Sequence, residues 1–158
     1  MKQLLRAILF LFFSATPALG QVPFFQEYFL LRKNESIQVN NILQDSKGFM
    51  WFGTTKGLFA FDGKNQKHFT AHDGLAHDVV TALAEDSIGR IWIGFETGNI
   101  GFIQNGQFEI FEPEEGTVTK PISDILFDHK GNLWFSTLND GLYYYTAKRL
   151  YPVDDAEG

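Results

Sequence analysis

The sequence predicts an all-β fold: a β-propeller segment of three four-stranded antiparallel blades, short of a closed ring. Three observations predict it. First, Asp45-Ser-Lys-Gly48-Phe-Met-Trp51 recurs as Asp86-Ser-Ile-Gly89-Arg-Ile-Trp92 and again as Asp128-His-Lys-Gly131-Asn-Leu-Trp134. The Trp-to-Trp spacings are 41 and 42, and all three tryptophans of the chain occupy this one place in the repeat. Second, each copy divides into four short runs rich in Val, Ile, Phe, Tyr and Trp, bounded by Gly, Asp or Asn, as strands and their turns are. Third, no window sustains a helical period. Four strands in a unit of roughly 40 residues is the pattern of a propeller blade.

The chain opens on an export signal. Met1-Lys2-Gln3-Leu4-Leu5-Arg6 is a short positive region, Ala7 to Phe13 continues an apolar one, and Ala18-Leu19-Gly20 fits the small-x-small rule for cleavage. Residues 1–20 are therefore expected to be removed before Gln21. The apolar stretch is about ten residues, short of the ~20 a spanning helix needs. Residues 21–35 form a lead-in in which Phe24-Phe25-Gln-Glu-Tyr28-Phe29-Leu30 reads as a lone strand. It has the character of an outer strand that could complete the last blade of a closed ring.

The repeats proper occupy 36–158, as units of about 36–70, 75–112 and 118–152 with a short C-terminal stub. The inner strand of each is read from Val39-Asn-Asn-Ile42-Leu43, Val80-Thr-Ala-Leu83-Ala84 and Ile122-Ser-Asp-Ile125-Leu126. Adjacent apolar positions suit a strand covered on both faces by neighbouring blades. The Asp-x-x-Gly that follows is a hairpin turn. Its Asp accepts from backbone N–H groups two residues on, and its Gly takes positive φ. The Trp then lies in the second strand, where its ring fills the space between blades and its indole N–H needs an acceptor. Gly57-Leu58, Gly98-Asn99 and Gly141-Leu142 open the third strand in each copy, with Asn99 standing where leucine is usual. The outer strands are His68-Phe69, Phe108 to Phe111 and Leu150-Tyr151.

Composition removes several function classes. Formal net charge is −6, and two of the 13 basic residues, Lys2 and Arg6, fall in the leader, so the remainder is more acidic still. That balance excludes a basic nucleic-acid footprint and docking on an anionic membrane. The absence of cysteine excludes disulfides, thiolate metal sites and a thiol nucleophile. No phosphate loop or Gly-x-Ser-x-Gly elbow is present. No cofactor is expected.

The run Asp45-Ser-Lys-Gly48-Phe-Met-Trp51-Phe-Gly53-Thr54-Thr55-Lys56-Gly57-Leu58, with the lead-in Asp73-Gly74-Leu75 before the second copy, resembles the two-component regulator propeller repeat. The resemblance covers about residues 36 to 151. It implies a periplasmic sensor segment whose full-length protein carries a membrane helix and a histidine kinase, in bacteria of the Bacteroidetes kind, with oligosaccharides as the usual ligand class. Three blades fall short of the roughly four to eight that close a ring. The partners expected are therefore further blades or a second copy.

Candidate side chains follow from the fold. The repeated Asp45, Asp86 and Asp128, with Gly48, Gly89 and Gly131, Trp51, Trp92 and Trp134, and Gly57, Gly98 and Gly141, are read as structural. They recur once per blade at identical turns, and repetition of a turn residue needs no chemistry. Ligand contacts are expected on the rim where the second strand turns into the third and the outer strand crosses to the next blade. There Lys56, His72, His77, Glu96, Asn139 and Asp140 could hydrogen-bond sugar hydroxyls. Loops on a rigid scaffold usually carry binding. No helix or cysteine supports a metal site at His72 and His77. Two other readings stay open. Propeller lyases acting on antibiotics or polysaccharides need a convergent acid–base set, usually with a histidine. A protein-interaction scaffold would show an apolar patch on the loop face.

Overall fold

A computed structural model describes residues 36–116 and 118–153 of the 158. The leader expected over 1–20, the lone strand expected over 24–30 and the last five residues lie outside the described residues. Within them the chain forms twelve strands and one short 3-10 turn. The first blade is β1 (Val39–Gln44), β2 (Met50–Thr54), β3 (Gly57–Phe61) and β4 (Gln66–Phe69). The second is β5 (Val80–Glu85), β6 (Ile91–Phe95), β7 (Ile100–Gln104) and β8 (Gln107–Ile110). The third is β9 (Ile122–Phe127), β10 (Leu133–Thr137), β11 (Leu142–Thr146) and β12 (Arg149–Pro152). Each blade is a separate antiparallel sheet in sequence order. The inner strands β1, β5 and β9 stand in a row, each packed on the next, and no ring closes among the described residues.

The turn after each inner strand shows why the Asp-x-x-Gly-x-x-Trp spacing recurs. Asp45 Oδ1 accepts from the backbone N–H of Lys47 at 3.0 Å and Phe49 at 2.8 Å, while Oδ2 accepts from Trp51 Nε1 at 2.9 Å. Asp86 does the same with Ile88, Arg90 and Trp92, and Asp128 with Lys130, Asn132 and Trp134. One carboxylate therefore closes the hairpin and holds the indole. Gly48, Gly89 and Gly131 complete the turn at φ between 80° and 88°, a region that side chains with a Cβ avoid. In the second blade the Arg90 guanidinium also bonds Asp86.

Blade contact is set by rungs of residues facing the next blade. In the first blade Gly53 stands between Asn41 and Leu58 on one rung. A Cβ at Gly53 would come within 2.7 Å of Val80 Cγ1 in the second blade. The matching Gly94 faces Ile122 of the third blade, where a Cβ would come within 2.6 Å of Ile122 Cγ2. Glycine thus lets each following inner strand seat a β-branched side chain, and Val80 and Ile122 are both fully buried. Two cores result. One gathers Trp51, Leu58, Phe69, Leu75, Val80 and Phe95 between blades one and two. The other gathers Trp92, Ile100, Ile122, Ile125 and Phe135 between blades two and three. Polar ties also join the first two blades. Asn40 Nδ2 donates to Val80 O at 2.8 Å, and Glu85 accepts from Ser46 through both backbone N–H and hydroxyl, at 2.7 and 2.6 Å.

Two features differ from the sequence reading. Each inner strand carries one extra residue near its start, Asn40, Thr81 or Ser123, where the pairing register shifts. Such a bulge bends the strand where it leaves the rim, and residue types alone do not announce it. The third strand of the second blade is also displaced by one position. Leu58 pairs with Gly53, and Ile100, not Asn99, pairs with the corresponding Gly94. The loop before β7 is one residue longer, so Asn99 takes the place of Gly57 and Gly141, and Gly98 is a loop residue preceding it. The core position that looked polar is apolar in all three blades: Leu58, Ile100 and Leu142.

Candidate functional site

The rim is built by five connections. The β2–β3, β6–β7 and β10–β11 loops each bond the residues leading into their own inner strand. Thr55 N–H donates to Gln38 O at 3.0 Å, Glu96 to Val79 O at 3.2 Å and Leu138 to Pro121 O at 2.8 Å. The β4–β5 crossover is further tied to the first blade, where Gly57 N–H donates to Asp78 O at 2.6 Å. Residues 77–79 are thereby held between two loops, one carrying Lys56 and the other Glu96. Three of the six candidates, Lys56, His77 and Glu96, lie on these adjoining backbone segments.

The crossover is internally ordered. Thr70 donates to Asp73 Oδ2 through its N–H at 2.9 Å and its hydroxyl at 2.8 Å, capping the 3-10 turn Ala71–Asp73. The Thr70 hydroxyl, then its amide, hold the Asp73 carboxyl below its ordinary value of 3.8 against a small burial effect. Ala71 N–H donates to Asp78 Oδ1 at 2.7 Å. His72 is exposed on the turn, and His77 is half-buried with Nδ1 accepting from Val79 N–H at 3.1 Å. The third histidine of this region, His68, stacks on Phe59 with centroids 4.0 Å apart and bonds Lys56 O at 2.6 Å. Asn139 and Asp140 stand apart on the third blade's loop, where Asp140 accepts from the Tyr143 hydroxyl at 2.9 Å. This loop belongs to the third blade, whereas Lys56, His77 and Glu96 lie where the first two blades meet. Among the described residues no group of three or more His, Cys, Asp or Glu is placed to hold a metal ion.

The β8–β9 crossover encloses a feature the sequence reading did not find. A cavity of about 350 Å³ opens between blades two and three, lined by Asn99, Ile100, Phe111, Glu112, Phe135 and Leu150 among others. Glu114 and Glu115 fix one wall by pairing with Lys148 Nζ at 2.6 Å and Arg149 Nη2 at 2.8 Å on the third blade. A signal for it was present in the sequence. The first crossover carries Leu75, buried against the first core, and the second has no leucine at the matching distance before its inner strand.

The fold defines a class, the β-propeller, with its blades joined by loops that gather at one end. The two component regulator propeller family matches residues 33–56, 74–97 and 118–139, in phase with the three blades, and the chain belongs to this repeat family. Among solved structures, the extracellular domain of the hybrid two component system BT3049 from B. thetaiotaomicron is similar at 30% identity and a TM-score of 0.66. That likeness covers 79% of this chain and 18% of the other, so the chain spans about a fifth of that domain. Virginiamycin B lyase from Staphylococcus aureus is similar at 16% identity and a TM-score of 0.58, over 76% of this chain and 46% of the lyase. PorZ, a surface component of the type-IX secretion system of Porphyromonas gingivalis, shares 19% identity at a TM-score of 0.56, over 72% of this chain and 20% of its own. At those identities the last two likenesses concern the fold alone. No curated protein sequence matches the chain. Among the described residues no helix is long and apolar enough to cross a membrane.

Proposed function

We propose that this chain is the ligand-sensing propeller segment of a two-component signalling protein, placed in the periplasm and non-catalytic by itself. The observation that carries this reading is the in-phase match of three blades to the two component regulator propeller family, joined to the likeness with an extracellular sensor domain. Ligand binding at the rim would favour one arrangement of the blades, and the attached module would read that shift. Oligosaccharides are the ligand class proposed for the Lys56–His77–Glu96 strip, which offers a cation, an imidazole and a carboxylate to sugar hydroxyls. The lyase reading has less support. His77 Nδ1 is already engaged by a backbone amide, and His72 lies exposed on a separate turn.

The test is calorimetric titration of the full chain, without its leader, against a panel of neutral and acidic oligosaccharides. Saturable binding to at least one, weakened at least about tenfold in Lys56→Ala and Glu96→Ala, is the expected result. Conversion of any bound sugar to product, or binding indifferent to both substitutions, overturns the reading.

A further inference from the structure

The geometry points to a second ligand site, the cleft under the β8–β9 crossover, suited to a small organic cation with an apolar body. The comparison of the two crossovers is the starting point. Phe69 to Val80 and Phe111 to Ile122 are equal spans, and their ends correspond. Phe111 N–H bonds Ile100 O as β8 runs out, and Phe69 pairs with the matching Leu58. In the first crossover Leu75 is 5% exposed and completes a closed core with Phe69 and Phe95. In the second the sequence reads Glu115-Gly116-Thr117 where the first reads Asp73-Gly74-Leu75. The space bounded by Ile100, Phe111 and Phe135, the counterparts of Leu58, Phe69 and Ile93, is a cleft of about 350 Å³. That volume lies at the small end of ligand pockets, roughly 300 to 1,000 Å³, and fits one ring with a short side arm.

Charge selects the class of occupant. Three carboxylates lie along this crossover: Glu112, Glu114 and Glu115. The latter two are neutralised by Lys148 and Arg149. Glu112 lines the cleft, and no hydrogen bond or ion pair holds its side chain among the described residues. It is the only ionised side chain among the described lining residues. A carboxylate beside an apolar floor favours an ammonium group with a hydrophobic body over a neutral polyol or an anion. Asn99 adds an amide at the same edge. Its Oδ1 accepts from the Thr97 hydroxyl at 2.8 Å, which fixes the amide and leaves its N–H₂ as a donor. This inference stands apart from the oligosaccharide reading, which concerns the strip between blades one and two.

Phenethylamine is the probe. Trp92 reports on the site, since its ring lies 5.2 Å from that of Phe111 in the cleft wall. Titration of the leaderless chain with phenethylamine, followed by tryptophan fluorescence and calorimetry, is expected to show one saturable site. Phenethyl alcohol, equal in shape but uncharged, should bind about fivefold or more weakly, and Glu112→Gln should weaken the amine by a similar factor without affecting the alcohol. Val118→Phe, which adds bulk to the lining, should abolish binding of both while leaving the thermal midpoint within a few degrees. Absence of saturable binding overturns the proposal. So does equal affinity for amine and alcohol, or an amine affinity unchanged in Glu112→Gln. Retained oligosaccharide binding in Glu112→Gln separates this site from the strip; a failure of the strip leaves the amine result standing.

Discussion

Trp92 Nε1 donates to Asp86 Oδ2 at 2.8 Å, and the same pair recurs as Trp51 with Asp45 at 2.9 Å and Trp134 with Asp128 at 3.1 Å. Each pair joins the turn to its indole ring, and in the first two blades that ring packs on the next blade, so there hairpin geometry and blade packing depend on one carboxylate. Asp86 is 8% exposed and faces only donors: two backbone amides, the Arg90 guanidinium and the indole. Asp86→Ala is expected to cost about 2–4 kcal/mol, because buried donors lose a charged acceptor. Asp86→Asn should cost nearly as much, since its N–H₂ would point at donors. Urea denaturation of both variants checks this; a cost for Asn well under half that of Ala would show that charge and lone pairs at Asp86 matter little.

Two of these carboxylates, Asp86 and Asp128, make the fold acid-sensitive. Burial pushes Asp86 up, but hydrogen bonds from the Trp92 indole, then from the Arg90 amide and guanidinium, outweigh it and hold the group below 3.8. Asp128 is held well below the usual carboxylate range, by the Asn132 side-chain amide first and then, against some burial, by the Asn132 amide and the Trp134 indole. A carboxyl with a depressed folded value contributes stability above its unfolded value and loses it as pH falls toward the folded one. The urea midpoint should therefore be level near neutrality and fall once pH drops below about 4. Asp86→Asn should show a shallower fall. An equal slope in both proteins would remove Asp86 from the account.

Gly94 tests the close approach of blades. Its φ is not positive, so alanine there meets no backbone penalty, but its Cβ would press on Ile122 Cγ2 and Cβ at 2.6 and 2.8 Å and on Ala82 Cβ at 3.2 Å. Gly94→Ala is expected to cost about 1–3 kcal/mol by overpacking. The cost should shrink in part when Ile122→Ala is made beside it, since Cγ2 is then gone while the Cβ at 2.8 Å stays. The corresponding place in the third blade is Ser136, which bonds the Ser123 hydroxyl at 2.8 Å and has no following inner strand against it among the described residues. Ser136→Ala should stay within about 0.5 kcal/mol. Additive costs at Gly94 and Ile122 would contradict the contact.

Blade architecture was legible because its determinants are local and repeated. The Asp-to-Trp spacing is fixed by one side chain that must reach both its own turn and an indole six residues on, and any change in that count breaks the bond. The bulges at Asn40, Thr81 and Ser123 were not legible. An extra residue in a strand leaves no mark when neighbours on both faces are apolar or small. The shift at Asn99 was hidden for a related reason. Gly98 looked like Gly57, and only the pairing of Ile100 with Gly94 shows the loop to be longer. Of the candidate rim residues, the grouping of Lys56, His77 and Glu96 depends on the backbone bonds from Gly57 and Glu96 to residues 78 and 79. Such bonds carry no sequence signature. The cleft beside Glu112 was legible only by contrast, through a leucine present in one crossover and missing from the other.

Among the described residues the third blade presents an uncovered rung, which is expected to govern how the chain behaves in solution. Leu126, Trp134, Tyr144 and Tyr151 lie on a single rung across the four strands. The rings of Trp134, Tyr144 and Tyr151 stack in succession, with centroids 5.0 and 5.4 Å apart, and Leu126 is 63% exposed. In the second blade the corresponding rung, Ala84, Trp92 and Phe102, is covered by the third blade, with Phe127 set 5.4 Å from Trp92. The third blade thus has the packing face of a blade without its neighbour, and association is expected to bury it. Sedimentation velocity of residues 21–158 should show concentration-dependent self-association. Leu126→Asp should move the distribution toward monomer, because a buried unpaired charge in that contact is costly. Ile88→Asp, at a residue 67% exposed on a turn of the second blade, supplies the control and should change nothing. A monomer at all concentrations, or equal effects of the two substitutions, would mean that this rung tolerates water.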